Sequence, residues 1–259
     1  MDFEIQNRMK RTAAPLWISY VAIFALLAIW EIICRAGLVS ALFLPAPSQI
    51  FSALFAMAAS GELADNLAAS LIRILAGFFI GSALGIAVGL TAGVSSLASR
   101  IASPLIDALY PIPKIALLPL FILWLGIGET SKVTLIALGV FFPVALNAYA
   151  GARDVDPLLL RVAAAFHARP SFLLTRVILP AALPMIFAGL RIAAATALLL
   201  LVAAEMIAAE KGIGALILRY GDLMLTDRLM AGLLVLSALG LLFRFLLHFA
   251  ARRILPWKE

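Results

Sequence analysis

This chain of 259 residues contains six apolar stretches, each long enough to cross about 30 Å of hydrocarbon as a helix. Hydrophobic residues make up 64% of the chain and charged residues only 13%, against about 45–50% and 25% in soluble domains. A cytosolic globular enzyme is therefore excluded. The pattern predicts an all-α integral membrane protein with six transmembrane helices, at Thr12–Trp30, Leu67–Gly93, Pro104–Leu125, Val133–Ala150, Leu183–Ala204 and Leu229–Ala251.

The first stretch is predicted to be a span rather than a cleaved signal peptide, because no A-x-A-like cleavage site follows it. Six spans place both termini on one side of the membrane. Lys and Arg concentrate in cytoplasmic segments. The two alternating sets of segments hold eleven and five basic residues, and the larger set is Arg8, Lys10, Arg11, Arg100, Arg153, Arg161, Arg169, Arg176, Arg252, Arg253 and Lys258. We therefore predict that both termini and the long loop at 151–180 are cytoplasmic.

The second stretch carries five glycines spaced four residues apart. One face of this helix then has no side chains, so that another backbone can approach it closely. The pattern predicts helix packing within one subunit, and a dimer seam is the alternative. The glycines are Gly77, Gly81, Gly85, Gly89 and Gly93.

Charged residues within or near the apolar stretches are candidate functional residues, because a charge in the membrane is costly. Arg73, Asp107 and Arg244 lie close enough to predicted span ends to be interfacial anchors. Lys114 follows two prolines, whose freed carbonyls could bind its ammonium without any role in transport. Glu205 is predicted at the outer mouth of the fifth span, and an interfacial acid is its alternative role.

Several chemistries have no support in the sequence. The single cysteine and two histidines leave little for a metal site, so we predict no metal and no catalytic residue. The chain has no G-x-x-x-x-G-K-[ST] phosphate loop, H-E-x-x-H helix or G-x-S-x-G elbow. No span offers two acids at helical spacing, which weakens the hypothesis of a proton-driven carrier.

The sequence of the predicted cytoplasmic loop contains signals for helices, which a simple connector does not need. Asp156 and Pro157 predict the start of a short helix that continues to about Phe166, and Ser171 is predicted to cap a second one. The loop has more apolar side chains than a solvated segment carries. It is therefore expected to dock on the underside of the bundle or on a separate protein.

The stretch from Val155 to Pro184 resembles the EAA loop of binding-protein-dependent ABC importer permeases. The usual pattern is E-A-A, three residues, G, nine residues and I-x-L-P, and the spacing here is the same. Arg161 stands where Glu is usual and His167 where Gly is usual. The positions that match or are conservatively replaced are Val162, Ala163, Val177, Leu179 and Pro180.

Other segments, in the same order along the chain, are similar to the nitrate, sulfonate and taurine permease subfamily. They are Leu44-Pro45-Ala46-Pro47-Ser48, Pro111-Ile112-Pro113-Lys114-Ile115-Ala116, Leu118-Pro119-Leu120, Trp124-Leu125-Gly126-Ile127-Gly128-Glu129, Ala204-Glu205-Met206 and Gly212-Ile213-Gly214. The resemblance implies the type I ABC importer permease fold. Residues 1–66 would hold the N-terminal segment, the first span and an outer amphipathic segment, 67–251 the permease core with its loop at 151–184, and 252–259 a cytoplasmic tail.

The resemblance also implies the partners and the site residues. The loop would form a coupling helix docked on a cytoplasmic ATPase that holds ATP and Mg, with two ATPases, a second permease copy and a periplasmic or extracellular solute-binding protein in a bacterial inner membrane. No cofactor of this chain and no nucleic acid are expected, and membrane lipid surrounds it. The docking residues would be Arg161, Val162, Ala163, Phe166, His167, Ala168, Val177, Leu179 and Pro180.

The implied substrate is a small solute, above all an anion such as a sulfonate, taurine or nitrate. A cationic lining would help an anion to cross the membrane. The candidate path residues are Lys114, Asn147, Arg191, Thr196 and Glu205. The alternatives to an ABC permease are a stand-alone secondary transporter and a membrane enzyme acting on lipid.

Overall fold

The computed structural model describes residues 16–255, without the side chains of Leu16 and Ser19. These residues form ten α-helices and no strand, which confirms the predicted all-α fold. In chain order the helices are α1 (Leu16–Arg35), α2 (Pro47–Ala59), α3 (Glu62–Val94), α4 (Ser96–Leu109), α5 (Leu118–Leu125), α6 (Glu129–Arg153), α7 (Pro157–Ala165), α8 (Pro170–Ala208), α9 (Ile213–Asp222) and α10 (Thr226–Ile254).

Four described helices, α3, α6, α8 and α10, are long and apolar enough to cross a membrane. The predicted third span, Pro104–Leu125, is not one straight helix. Its two halves, α4 and the segment Lys114–Leu125, are bent by 90°, because Pro111 and Pro113 cannot continue the helical hydrogen bonding. If this bent pair crosses the membrane once, the described residues contain five crossings in total. The first predicted span begins outside the described residues, so the count of six spans stays a prediction.

Helices α3 and α6 approach each other closely along the glycine stripe. A Cβ added to Gly77 would lie 2.6 Å from the Ile136 Cβ, and one added to Gly85 would lie 2.8 Å from the Phe141 carbonyl oxygen. Gly81, Gly89 and Gly93 likewise face α6. The absence of side chains at these positions therefore lets the two backbones meet, as in other membrane helix pairs with small residues at the contact.

Helix α6 lies between α3 and α8, and the main apolar core forms where the three helices meet. A Cβ on Gly189 of α8 would lie 2.7 Å from the Asn147 Cβ of α6, so this second contact is also close. A separate cluster joins α2, α9 and α10. The buried residues of the main core include Ile74, Phe78, Leu135, Ile136, Val140, Val144, Ala193, Ala197, Leu200 and Leu201.

The bundle has two ends with different features. The starts of α3 and α6, the end of α8 and the start of α9 lie together, and we name this the network end. The end of α6, helix α7 and the start of α8 lie at the opposite end, which we name the loop end.

We expect Gly85→Val to lower the free energy of unfolding by about 1–3 kcal/mol, because the added side chain would force α3 and α6 apart. Ala83→Val is the matched control, since Ala83 is exposed on the same helix. Thermal unfolding of the detergent-purified variants, followed by circular dichroism, measures the difference. Equal midpoints for the two variants would contradict the packing role of the stripe.

Candidate functional sites at the two ends of the bundle

An ion-pair network of three charged side chains lies at the network end. The Arg73 Nη1 donates to the Glu205 Oε1 at 2.7 Å, while its Nε and Nη2 donate to the two Glu129 carboxylate oxygens at 2.5 and 2.7 Å. The side chains of Arg73 and Glu205 are 4% and 0% exposed, and that of Glu129 is 61% exposed. A single guanidinium therefore joins α3, α6 and α8.

The Glu205 carboxylate also holds the start of α9. The Ser70 hydroxyl donates to it at 2.8 Å, and the Gly214 backbone N–H donates to its Oε2 at 2.9 Å. Gly212 has φ +141°, a backbone conformation that favours glycine, and a Cβ there would collide with the same carboxylate. The segments Ala204-Glu205-Met206 and Gly212-Ile213-Gly214 are thus parts of one structural unit.

A second polar contact fastens α9 to α3. The Tyr220 hydroxyl donates to the Glu62 Oε2 at 2.6 Å. Burial raises the pKa of Tyr220, and the hydrogen bond to Glu62 acts in the same direction. The phenol therefore remains a hydrogen-bond donor at neutral pH.

Two sequence-based interpretations at this end are wrong. Arg73 is 3% exposed, so it is not an anchor that reaches the membrane surface, and Glu205 is fully buried rather than an interfacial acid. The sequence held a signal for this result, because Arg73 lies four residues before Gly77 and so continues the glycine stripe toward α6. The partner charges are 56 and 132 residues away in sequence, and no local pattern indicates them.

A cavity of about 640 Å³ opens beside the network. Its charged lining includes Arg73, Glu129, Lys132 and Lys211. Lys132 is a buried residue, with 3% of its surface exposed. Its ammonium donates to the Ile127 and Gly128 carbonyls at 2.8 and 3.0 Å. The cavity wall therefore carries both signs of charge, each held by partners of the protein itself.

The side chains of the other four predicted path residues each donate a hydrogen bond to a backbone carbonyl four residues earlier in the chain. Lys114 donates to the Tyr110 carbonyl, and its Nζ lies 4.7 Å from the centre of the Phe142 ring. Asn147, Arg191 and Thr196 each donate to a carbonyl one turn earlier in their helix. In residues 16–255 no hydrogen bond joins these four side chains to one another or to Glu205.

At the loop end, helix α7 begins at the predicted residue. The Asp156 Oδ1 accepts a hydrogen bond from the Leu158 N–H at 2.8 Å, and α7 begins at Pro157 and ends at Ala165. His167 has φ +49°, the left-handed conformation in which Gly is usual. The EAA-like turn therefore keeps its backbone geometry with His in this position.

The predicted second short helix of the loop is wrong. Ser171 does not cap a helix, because Pro170 already occupies the first position of α8 and Ser171 follows it inside the helix. Helix α8 then continues without a break to Ala208 and includes a π-helical stretch at Leu173–Ile178. The second half of the loop is therefore the first part of a long spanning helix.

Helix α7 presents an exposed apolar ridge. Leu158, Val162 and Phe166 are spaced by four residues, and they are 62%, 47% and 82% exposed. Among the other predicted docking residues, Arg161 and His167 are exposed and Ala163 is buried. The half-buried ones are Ala168, Val177, Leu179 and Pro180. The structure thus divides the predicted docking set into an outward-facing group on α7 and a group that supports it.

No group of three His, Cys, Asp or Glu residues within the described part of the chain could hold a metal ion.

Residues 77–257 match the family model described as "Binding-protein-dependent transport system inner membrane component". This chain belongs to that family. It is 39% identical over 237 residues to the taurine transport system permease protein TauC of Escherichia coli (strain K12), covering 90% of this chain and 86% of TauC. It is 37% identical over 234 residues to the putative aliphatic sulfonates transport permease protein SsuC of Bacillus subtilis (strain 168), covering 90% and 85%.

A solved structure supports the fold. The inward-facing MetNI methionine ABC transporter matches with a TM-score of 0.61 and 22% identity, over 72% of this chain and 93% of that chain. At this identity the match shows the fold alone, which is the fold implied by the EAA-like loop.

These matches confirm the resemblance found in the sequence. The chain is a multi-pass membrane protein and a permease subunit of an ABC importer. Such a subunit is non-catalytic, and a partner ATPase hydrolyses ATP. Membership of a binding-protein-dependent family also implies a solute-binding protein as a partner.

We expect Arg73→Met to lower the free energy of unfolding by about 3–5 kcal/mol, because it leaves the buried Glu205 carboxylate without a counter-charge. Adding Glu205→Gln to this variant is expected to recover part of the loss. Arg244→Met, at an exposed position of α10, is the control. Thermal unfolding followed by tryptophan fluorescence measures these variants and the single Glu205→Gln variant. Additive effects of the two network substitutions would disprove the coupling.

Proposed function

We propose that this permease serves an importer for taurine or another small organosulfonate. The observation that supports the substrate is the similarity to TauC and SsuC, which extends over nine tenths of this chain in both cases. Nitrate, the third substrate of the resembled subfamily, has no comparable support among these two relatives.

We propose that α7 is the coupling helix of this importer and that it docks on a cytoplasmic ATPase. Its ridge of Leu158, Val162 and Phe166 supports this role, because exposed apolar side chains outside the membrane favour a protein interface. The half-buried Val177 and Leu179 pack beside α6 and would transmit the movement of the docked helix to α8. Two ATPases and two copies of this permease would complete the transporter.

The proposed topology places both termini and the loop end in the cytoplasm of a bacterium and the network end outside. The distribution of Lys and Arg supports this orientation. The solute-binding protein would then meet the permease at the network end.

The transport proposal is tested by reconstitution. The chain is co-expressed with the ATPase subunits encoded in its own genome, purified in nanodiscs and supplied with solute-binding protein loaded with taurine or an alkanesulfonate. We expect a stable complex whose ATP hydrolysis rises when the loaded binding protein is added. Solute uptake by the chain alone, driven by an ion gradient, would favour the alternative of a secondary transporter.

For the translocation path we propose Lys114 and Arg191 as cationic groups, with Asn147 and Thr196 as polar neighbours. We expect Lys114→Ala and Arg191→Ala each to slow ATP-driven uptake of a sulfonate by about tenfold, because a desolvated anion loses a favourable charge. Glu205 is left out of these tests because its substitution would disturb the network. Arg244→Ala is the control, and unchanged uptake in both test variants would refute this assignment.

A further inference from the structure

The docking surface around α7 carries positive charge without any negative charge of its own. Residues 157–180 include Arg161, Arg169 and Arg176 and contain no acidic residue. All three arginines are exposed. None of them forms an ion pair or donates a side-chain hydrogen bond within residues 16–255.

The acids closest in sequence do not neutralise this surface. Asp156 is engaged as the cap of α7, where its carboxylate accepts the Leu158 N–H. Asp154 precedes the helix and lies seven residues before Arg161. Acceptors of the described residues therefore do not occupy these three guanidinium groups, and each can bind a carboxylate of a partner.

The surface also includes an open cavity. An open cavity of about 580 Å³ lies beside the exposed ring of Phe166, with Phe172 on its wall and Arg169 among its lining residues. Arg161 lies three residues after Leu158, next to the apolar ridge. A partner that covers this surface must accept apolar side chains and must also face the arginines.

We infer that the ATPase that docks on α7 has a groove with an apolar floor and an acidic rim, whose carboxylates face Arg161 and Arg169. This inference rests on the proposed docking function and adds the chemistry of the partner. Carboxylates bind guanidinium groups through paired, charge-assisted hydrogen bonds. Like charges across an interface reduce affinity, so an ATPase whose groove is basic is rejected.

Arg161 is the residue that sets this specificity. The resembled EAA pattern has Glu at this position, and an ATPase adapted to an acidic coupling helix would carry a cation opposite it. Reversal of the charge in this chain therefore selects a different set of ATPase subunits. The exposed ridge supplies affinity, and the arginines select the partner.

The test measures association of the purified ATPase subunit with the full chain in nanodiscs of phosphatidylcholine, at ionic strengths of about 0.05 and 0.3 M. Arg161→Glu is expected to weaken association about tenfold or more at the lower ionic strength and by less at the higher one. Arg252→Glu is the matched control, because Arg252 is an exposed arginine at the loop end of α10 and lies outside the loop. Its association is expected to equal that of the unmodified chain.

A second pair of variants separates this inference from the docking proposal itself. Phe166→Ala tests docking, and Phe55→Ala is its control, since Phe55 is 72% exposed but lies on α2. If Phe166→Ala weakens association and Arg161→Glu does not, the acidic rim is refuted and docking stands. If neither variant has an effect, docking through α7 fails as well. If Arg161→Glu matters only in nanodiscs with anionic lipid, the arginines contact the membrane and the inference is overturned.

Discussion

The close approach of α3 and α6 is the constraint on which the rest of the bundle depends. Membrane helices gain no hydrophobic free energy by leaving lipid, so their association requires close packing and polar contacts. The glycine stripe supplies the first and Arg73, on the same face of α3, supplies the second. Once α6 is fixed on α3, its opposite side receives α8 through Gly189. The glycine spacing on α3 thus fixes α6, and α6 in turn contacts α8, so that these contacts join three of the four long spanning helices.

The two ends of the bundle are built for different tasks. At the network end, the buried charges of Arg73 and Glu205 pair with each other, and Glu205 binds a backbone N–H at the start of α9. At the loop end, Phe166 is exposed, and Arg161 and Arg169 are exposed without an ion pair in the described residues. A firmly joined end and an end that offers a surface are what a subunit needs if an external ATPase is to move it.

The sequence predicts the features that depend on local spacing. The helical class, the glycine stripe, the Asp156 cap and the turn at His167 follow from composition, period and turn chemistry. Features that depend on distant residues escape it. The pairing of Arg73 with Glu129 and Glu205 joins positions far apart in the chain. Pro111 and Pro113 predict a break in the helix but not the 90° angle between its two parts. The prediction for the second half of the loop is wrong because Pro170 and Ser171 both signal a helix start, and proline takes the earlier position.

The order of synthesis gives the Arg73 network a further consequence. A chain is made from its N-terminus, so α3 enters the bilayer while Glu129 and Glu205 are still unmade. Insertion scales give a cost of about 2.5–3.5 kcal/mol for an arginine at the centre of a membrane helix, and Arg73, which lies nearer the start of α3, has a smaller cost. This cost persists until α6 and α8 arrive, and its relief favours their assembly on α3. Formation of the ion pairs with Arg73 thus favours completion of the bundle in the newly made subunit. A chain truncated before α8 would keep an incompletely paired charge in the membrane.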